Sequence, residues 1–189
     1  YNTSRELGAK HIHVVYGYGG DQLKLACEHF DVQWNLQSEQ LGTAHAVEQA
    51  SMYVDDEDIA LVLYGDVPLI SAATLQQLIT DVKGNDIALL TVVLDDPSGY
   101  GRIVRDVEDN VIAIVEHKDA SEEVLQIAEV NTGILAVRAG YLNECIRKIE
   151  NNNAQGEYYL TDVIALAVAD GNHVHAIKAR NRYEVEGVN

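Results

Sequence analysis

Ile59-Ala60-Leu61-Val62-Leu63-Tyr64-Gly65-Asp66-Val67-Pro68 is the stretch on which the reading of this chain turns. Six residues, Ile59 to Tyr64, form a continuous apolar run, the pattern of a strand buried on both faces near a sheet centre. Glycine, aspartate and proline then stop it. In open α/β sheets ligands gather beyond the carboxyl ends of the strands, so Asp66 stands where a ligand is expected. A carboxylate there suits Mg²⁺, which takes one or two protein carboxylates together with phosphate oxygens and waters. The same residue also reads as an ordinary turn aspartate ahead of Pro68.

Working outward, apolar segments alternate in period. Strands are expected at 12–16, 32–37, 87–94, 111–116, 130–137 and 173–179, and helices at 21–29, 42–54, 71–82, 139–150 and 158–169. Asp21 is the expected cap of the first of these helices. Strand–helix alternation predicts a single α/β domain with a Rossmann-like mixed, mainly parallel sheet covered on both faces.

The chain has 189 residues, 47% of them hydrophobic and 23% charged, enough for one well-filled core. Its formal net charge of -17 argues against nucleic acid or an anionic membrane surface as a partner. A small polyanion would need a local cation, such as a bound metal. The two cysteines, Cys27 and Cys145, sit in helical, partly apolar settings and read as free thiols of a reducing compartment. No apolar run approaches the ~20 residues of a membrane helix, and the cytoplasm is the expected location.

Further candidate groups lie at strand ends. Gln37-Ser38-Glu39-Gln40-Leu41-Gly42-Thr43-Ala44-His45 follows one strand and opens a helix. Its Gln amide carries the donor and acceptor that a pyrimidine edge needs, and Gly42 lets backbone approach a ligand. Taken by itself, the segment reads first as a plain helix start with Thr43 near the cap. Ser98-Gly99-Tyr100-Gly101-Arg102, Glu116-His117-Lys118, Asn131-Thr132-Gly133 and Gly156-Glu157-Tyr158-Tyr159-Leu160-Thr161-Asp162 offer polar groups suited to a sugar, or simply solvated turns and strand ends. The histidine pairs His11/His13 and His173/His175 read as exposed strand faces.

In order along the chain, QSEQLGTAHA, LYGDVPLI, LDDPSGYGRI, IVEHKDA, EVNTGI, NNNAQGEYYLTD and EVEGVN resemble the N-terminal uridylyltransferase domain of the bacterial bifunctional N-acetylglucosamine-1-phosphate uridylyltransferase/glucosamine-1-phosphate acetyltransferases. The resemblance implies the nucleotide-diphospho-sugar transferase fold. It implies a cytoplasmic, Mg²⁺-dependent reaction of UTP with N-acetylglucosamine 1-phosphate, giving UDP-N-acetylglucosamine for peptidoglycan and lipopolysaccharide synthesis. By the same resemblance Gln37, Gly42 and Thr43 would meet the uracil and Tyr64 and Gly65 the ribose side. Asp66 and Asn189 would hold the metal, and Gly101, Glu116, Asn131, Tyr159 and Thr161 would contact the N-acetylglucosamine. The family's opening strand, its glycine-rich LxAAGxGTRM-type phosphate loop with a following lysine, and its trimerising C-terminal acetyltransferase domain do not occur within residues 1–189. The resemblance therefore implies a domain truncated at both ends and nearly inactive on its own. Two other readings stay open: a related enzyme of the same fold with another sugar or base, and a nucleotide-sugar-binding module without turnover.

Overall fold

A computed structural model describes residues 1–188. In chain order the elements are α1 (Asn2–Glu6), β1 (His13–Tyr16), α2 (Asp21–Ala26), β2 (Gln33–Leu36), α3 (Thr43–Ser51), β3 (Ile59–Val62), α4 (Ala72–Asp81), β4 (Ile87–Val93), β5 (Arg102–Arg105), β6 (Val111–Val115), α5 (Glu122–Leu125), β7 (Glu129–Arg138), α6 (Ala139–Ile146), α7 (Asp162–Ala169) and β8 (Val174–Lys178), followed by a 3-10 turn at Arg182–Val185. The expected elements are present, most with shorter ends, while β7 extends one residue beyond the expected 130–137 at each end.

The strands form a two-stranded parallel sheet, β1–β2, and a six-stranded sheet in the order β6-β5-β7-β4-β8, with β3 also paired to β7. β3, β4, β5 and β8 run one way, and β6 and β7 run the other. The sheet is mixed as expected. Because the reversed β7 sits among strands of the opposite sense, its ladders to β3, β4 and β5 are antiparallel, and only β4–β8 is a parallel ladder in this sheet.

The buried centre is β4 rather than the 59–64 run. Six consecutive residues of β4, from Ile87 to Val92, are buried, whereas Ile59 of β3 is 40% exposed. Apolarity alone does not separate these strands. What separates them is that β4 has a strand on each side, while β3 pairs only with β7 among the described residues. Alternate residues of β4 serve two cores, as period 2 requires. Ile87 and Leu89 join Leu135, Val137, Leu142, Val163 and Ile164 under α6 and α7, and Ala88 and Leu90 join Ile134, Ala136, Leu75 and Leu78 under α4.

Local chemistry sets several ends. Ser71 caps α4, its Oγ accepting from the Thr74 N–H at 3.2 Å. Asp21, the expected cap, is instead the first residue of α2, whose cap is Gly20 with no side-chain bond. Its carboxylate still sits in the first turn, where the helix dipole favours it. Strand β5 is not among the expected strands because its first residue, Arg102, closes the Ser98–Arg102 loop pattern. Cys27 and Cys145 are both free thiols. His13 is half-buried, its ring stacked at 6.2 Å on Tyr53 and within 3.1 Å of the Asn35 Oδ1, so it is not an exposed strand-face residue. Among the described residues no helix is long and apolar enough to cross a membrane.

Candidate functional site

Leu63 and Tyr64 carry the chain out of β3 into an exposed loop at Gly65 and Asp66. The Asp66 carboxylate makes no hydrogen bond among the described residues. Its backbone carbonyl accepts the Val188 N–H at 2.8 Å, and a Cβ on Gly187 would lie only 3.2 Å from Oδ2. The chain as far as Val188 therefore runs against Asp66. Asn189, the second expected metal ligand, lies outside the described residues.

The Tyr64 ring covers Gly133, where a Cβ would fall 2.3 Å from Cε2. Gly133 has φ +81, which itself favours glycine. Asn131, two residues earlier on β7, accepts the Gly133 N–H through Oδ1 at 2.9 Å and donates its own N–H to the Gly101 carbonyl at 2.9 Å. Burial holds the Tyr64 phenol above its ordinary pKa, and the negative charges of Glu116 and Asp66 push it further. Tyr64, Gly101, Glu116, Asn131 and Asp66 are thus brought to one side of the sheet.

Glu116, just past β6, accepts the Thr161 hydroxyl at 3.0 Å, and both its carboxylate oxygens lie 3.3 Å from where a Gly101 Cβ would be. Burial raises its pKa, the Thr161 hydrogen bond pulls the other way, and Asp119 raises it again. Asp162 is also raised, first by burial and then by Glu116 and Asp119. These acids border a cavity of about 480 Å³ lined by Glu116, Asp119, Lys148, Asn153, Tyr159 and Asp162. Tyr159 is 7% exposed, and its buried hydroxyl has no partner among the described residues. A buried hydroxyl left without a partner is costly.

On the far side of this arrangement, Gln37 is buried at the end of β2. Its Nε2 donates to the Gly42 carbonyl at 3.1 Å and lies 3.1 Å from the His45 Nδ1. Gly42, at φ +121, caps α3, and Thr43 begins it. Thr43 Oγ1 accepts the Leu160 N–H at 2.9 Å.

A family model described as nucleotidyl transferase matches residues 9–183. The chain belongs to the nucleotidyl transferase family. The fold of this nucleotidyl transferase is also similar to that of a nucleotidyl transferase from Methanothermobacter thermautotroptrophicus, with a TM-score of 0.65 over 100% of this chain and 71% of that one. At 17% identity that likeness speaks for the fold. Placed in this nucleotidyl transferase, the residues singled out in the sequence fall into one group at the β2–α3 junction (Gln37, Gly42, Thr43) and another around the ends of β5, β6 and β7 and the start of α7 (Gly101, Glu116, Asn131, Tyr159, Thr161), with Tyr64, Gly65 and Asp66 on the strand-end loop. Three participants carried no separate signal. His45 orients Gln37, Gly187 packs on Asp66, and the Tyr158 backbone joins the two groups. Only contacts made in the folded chain reveal them.

Proposed function

We propose that this nucleotidyl transferase moves the uridylyl group of UTP onto N-acetylglucosamine 1-phosphate, releasing pyrophosphate and UDP-N-acetylglucosamine. An oxygen of the sugar phosphate is already a competent nucleophile and would attack the α-phosphorus in line. No covalent enzyme intermediate is needed, and the protein's work is positioning and charge compensation. The observation that carries the reading is the direct lacing of the Gln37–Thr43 segment onto Tyr158–Thr161, which makes one continuous wall from the base side to the sugar side.

Each residue then has a task set by its chemistry. With Nε2 engaged by Gly42 and His45, Gln37 keeps its Oε1 as an acceptor. Uracil presents an N3–H there, whereas cytosine presents an acceptor, so this atom favours UTP. Tyr64, flat on Gly133, forms the ribose-side wall with Gly65. Glu116 and the Gly101 and Asn131 groups suit sugar hydroxyls, while Tyr159 and Thr161 bound the acetamido end.

Asp66 fits a role as magnesium ligand: its carboxylate is exposed, without a hydrogen bond among the described residues, and cradled by glycine at position 187. Asp66, with Asn189, would hold the ion. When bound, magnesium supplies Lewis-acid stabilisation of the triphosphate charge. Without a cation, Asp66 beside a triphosphate would be repulsive in a chain of charge -17.

A panel of the four ribonucleoside triphosphates against N-acetylglucosamine, glucosamine, glucose and mannose 1-phosphates, read by pyrophosphate release from the full-length protein, tests the reading. UTP with N-acetylglucosamine 1-phosphate is expected to give the highest kcat/KM. Preference for another base or an unacetylated sugar would overturn it.

A further inference from the structure

We propose that Thr43 and Gly42 act as a clamp coupling the two subsites, so that occupation of the base side tightens binding on the sugar side and the reverse. The inference rests on the substrate reading above and concerns how the site's halves communicate. The clamp is made of main chain on the 158–160 side and of main chain together with the Thr43 hydroxyl on the other. The Tyr158 N–H donates to the Leu41 carbonyl at 2.8 Å, the Ala44 N–H donates to the Tyr158 carbonyl at 2.9 Å, and the Leu160 N–H donates to Thr43 Oγ1 at 2.9 Å. Between these bonds the two segments touch so closely that a Cβ on Gly42 would lie 2.4 Å from the Tyr158 carbonyl oxygen and 2.7 Å from its nitrogen. Residues 117 positions apart in sequence thus share one hydrogen-bonded patch.

Each side of the patch continues directly into a recognition residue. The Gly42 carbonyl, which accepts the Ala46 N–H in the first turn of α3, also accepts from Gln37 Nε2 at 3.1 Å. One residue beyond Leu160, the Thr161 hydroxyl donates to Glu116 Oε1 at 3.0 Å. The loop leading into the Tyr158–Thr161 strap is fixed from behind: Asn153 Nδ2 donates to the Glu157 carbonyl at 2.6 Å, and its Oδ1 accepts the Gln155 and Glu157 N–H groups at 3.2 Å each.

Thr43 is exposed, and its hydroxyl accepts from the Leu160 N–H while keeping its own proton. It can donate that proton to a ligand on the base side without releasing the strap. A ligand that immobilises the segment from Gln37 to Thr43 removes part of the ordering cost that the sugar would otherwise meet at Thr161 and Glu116. Linkage requires the effect to be mutual. Thr43 is a positioning residue in this scheme.

The test uses ligands that cannot react. The affinity of UMP is measured on the full-length protein with and without saturating N-acetylglucosamine, for the wild type, Thr43→Val and Thr43→Ser. Amide hydrogen exchange at Leu160 is followed in parallel. The wild type and Thr43→Ser are expected to bind UMP about fivefold or more tighter when the sugar is present. In Thr43→Val that factor should fall towards one, and Leu160 should exchange faster. Thr43→Ser controls for loss of fold, since it keeps the acceptor oxygen. Binding of both ligands by the wild type with no mutual enhancement, or an undiminished factor in Thr43→Val, would overturn the clamp while leaving the substrate reading intact. Failure of the wild type to bind either ligand would overturn the substrate reading and the clamp with it.

Discussion

The N–H of Val188 donates to the backbone carbonyl of Asp66 at 2.8 Å, joining residues 122 positions apart at the mouth of the candidate site. This bond uses only the main chain of Asp66 and leaves its carboxylate available. Asp66→Ala should therefore lower kcat by at least about 1,000-fold, because the proposed magnesium-binding group is lost. It should change stability by no more than about 0.5 kcal/mol, as expected for an exposed side chain without hydrogen bonds. Steady-state kinetics and thermal unfolding of the full-length protein check both. Near-normal turnover by the folded variant at saturating magnesium would remove Asp66 from the metal site.

Gln37 is held by two neighbours, so deleting its amide also frees the Gly42 carbonyl and the His45 ring. Gln37→Ala is expected to reduce the UTP/CTP ratio of kcat/KM by about 10–100-fold, the range for losing a hydrogen bond that reads a base edge. His45→Ala should show a weaker form of the same defect. Unchanged base preference in Gln37→Ala would place uracil recognition elsewhere.

Glu116 offers a test in which function and stability move oppositely. Burial and Asp119 hold its carboxyl above the usual range despite the hydrogen bond from Thr161. A carboxylate whose folded pKa exceeds its unfolded value keeps its proton more tightly in the fold. Stability is then lost as pH rises from the unfolded value through the raised one. Glu116→Gln removes that loss and can still accept from Thr161. The variant should melt above wild type at pH 7, with the advantage vanishing as pH falls below the unfolded value, while KM for the sugar phosphate rises. A melting temperature at pH 7 no higher than that of the wild type would contradict this electrostatic reading.

Behind Asn131, the same strand is anchored by Glu129. Burial pushes this carboxyl up, but Arg105, Thr91 and Lys178 outweigh it and leave its pKa lowered. Arg105 Nη2 lies 2.8 Å from Oε1, and the Thr91 hydroxyl donates to the same oxygen at 2.8 Å. Because the folded pKa is depressed, this contribution is present above the unfolded value near 4.3 and is lost as pH falls through the folded one. Glu129→Ala should cost about 1.5–3 kcal/mol at pH 7, since the half-buried Arg105 guanidinium loses its charged hydrogen-bond partner and keeps only Asp109. The difference from wild type should shrink in acid, and denaturant unfolding across pH follows it.

Much of this architecture was legible in the sequence. The alternating periods located the strands and helices that carry Gln37, Asp66, Glu116 and Asn131, because apolar spacing records which face meets the core. Local pattern could not rank the strands. Ile59–Val62 reads as apolar as Ile87–Val93, yet only the second has partners on both sides. Nor could it reveal the reversed β7, whose direction depends on how distant segments pair. In the site, residue types at strand ends were visible, but His45 beneath Gln37 and the Tyr158 backbone against Gly42 were not. Those contacts come from closure of the fold, and no short motif encodes them.

The central claim is tested most directly by following UTP and N-acetylglucosamine 1-phosphate with the full-length protein and Mg²⁺ by phosphorus NMR. Equal growth of pyrophosphate and of the paired diphosphate signals of UDP-N-acetylglucosamine is expected, with neither appearing in the Asp66→Ala protein or after magnesium is chelated. Unchanged UTP and sugar phosphate under the complete conditions, or product formed at the same rate without the metal, would contradict it.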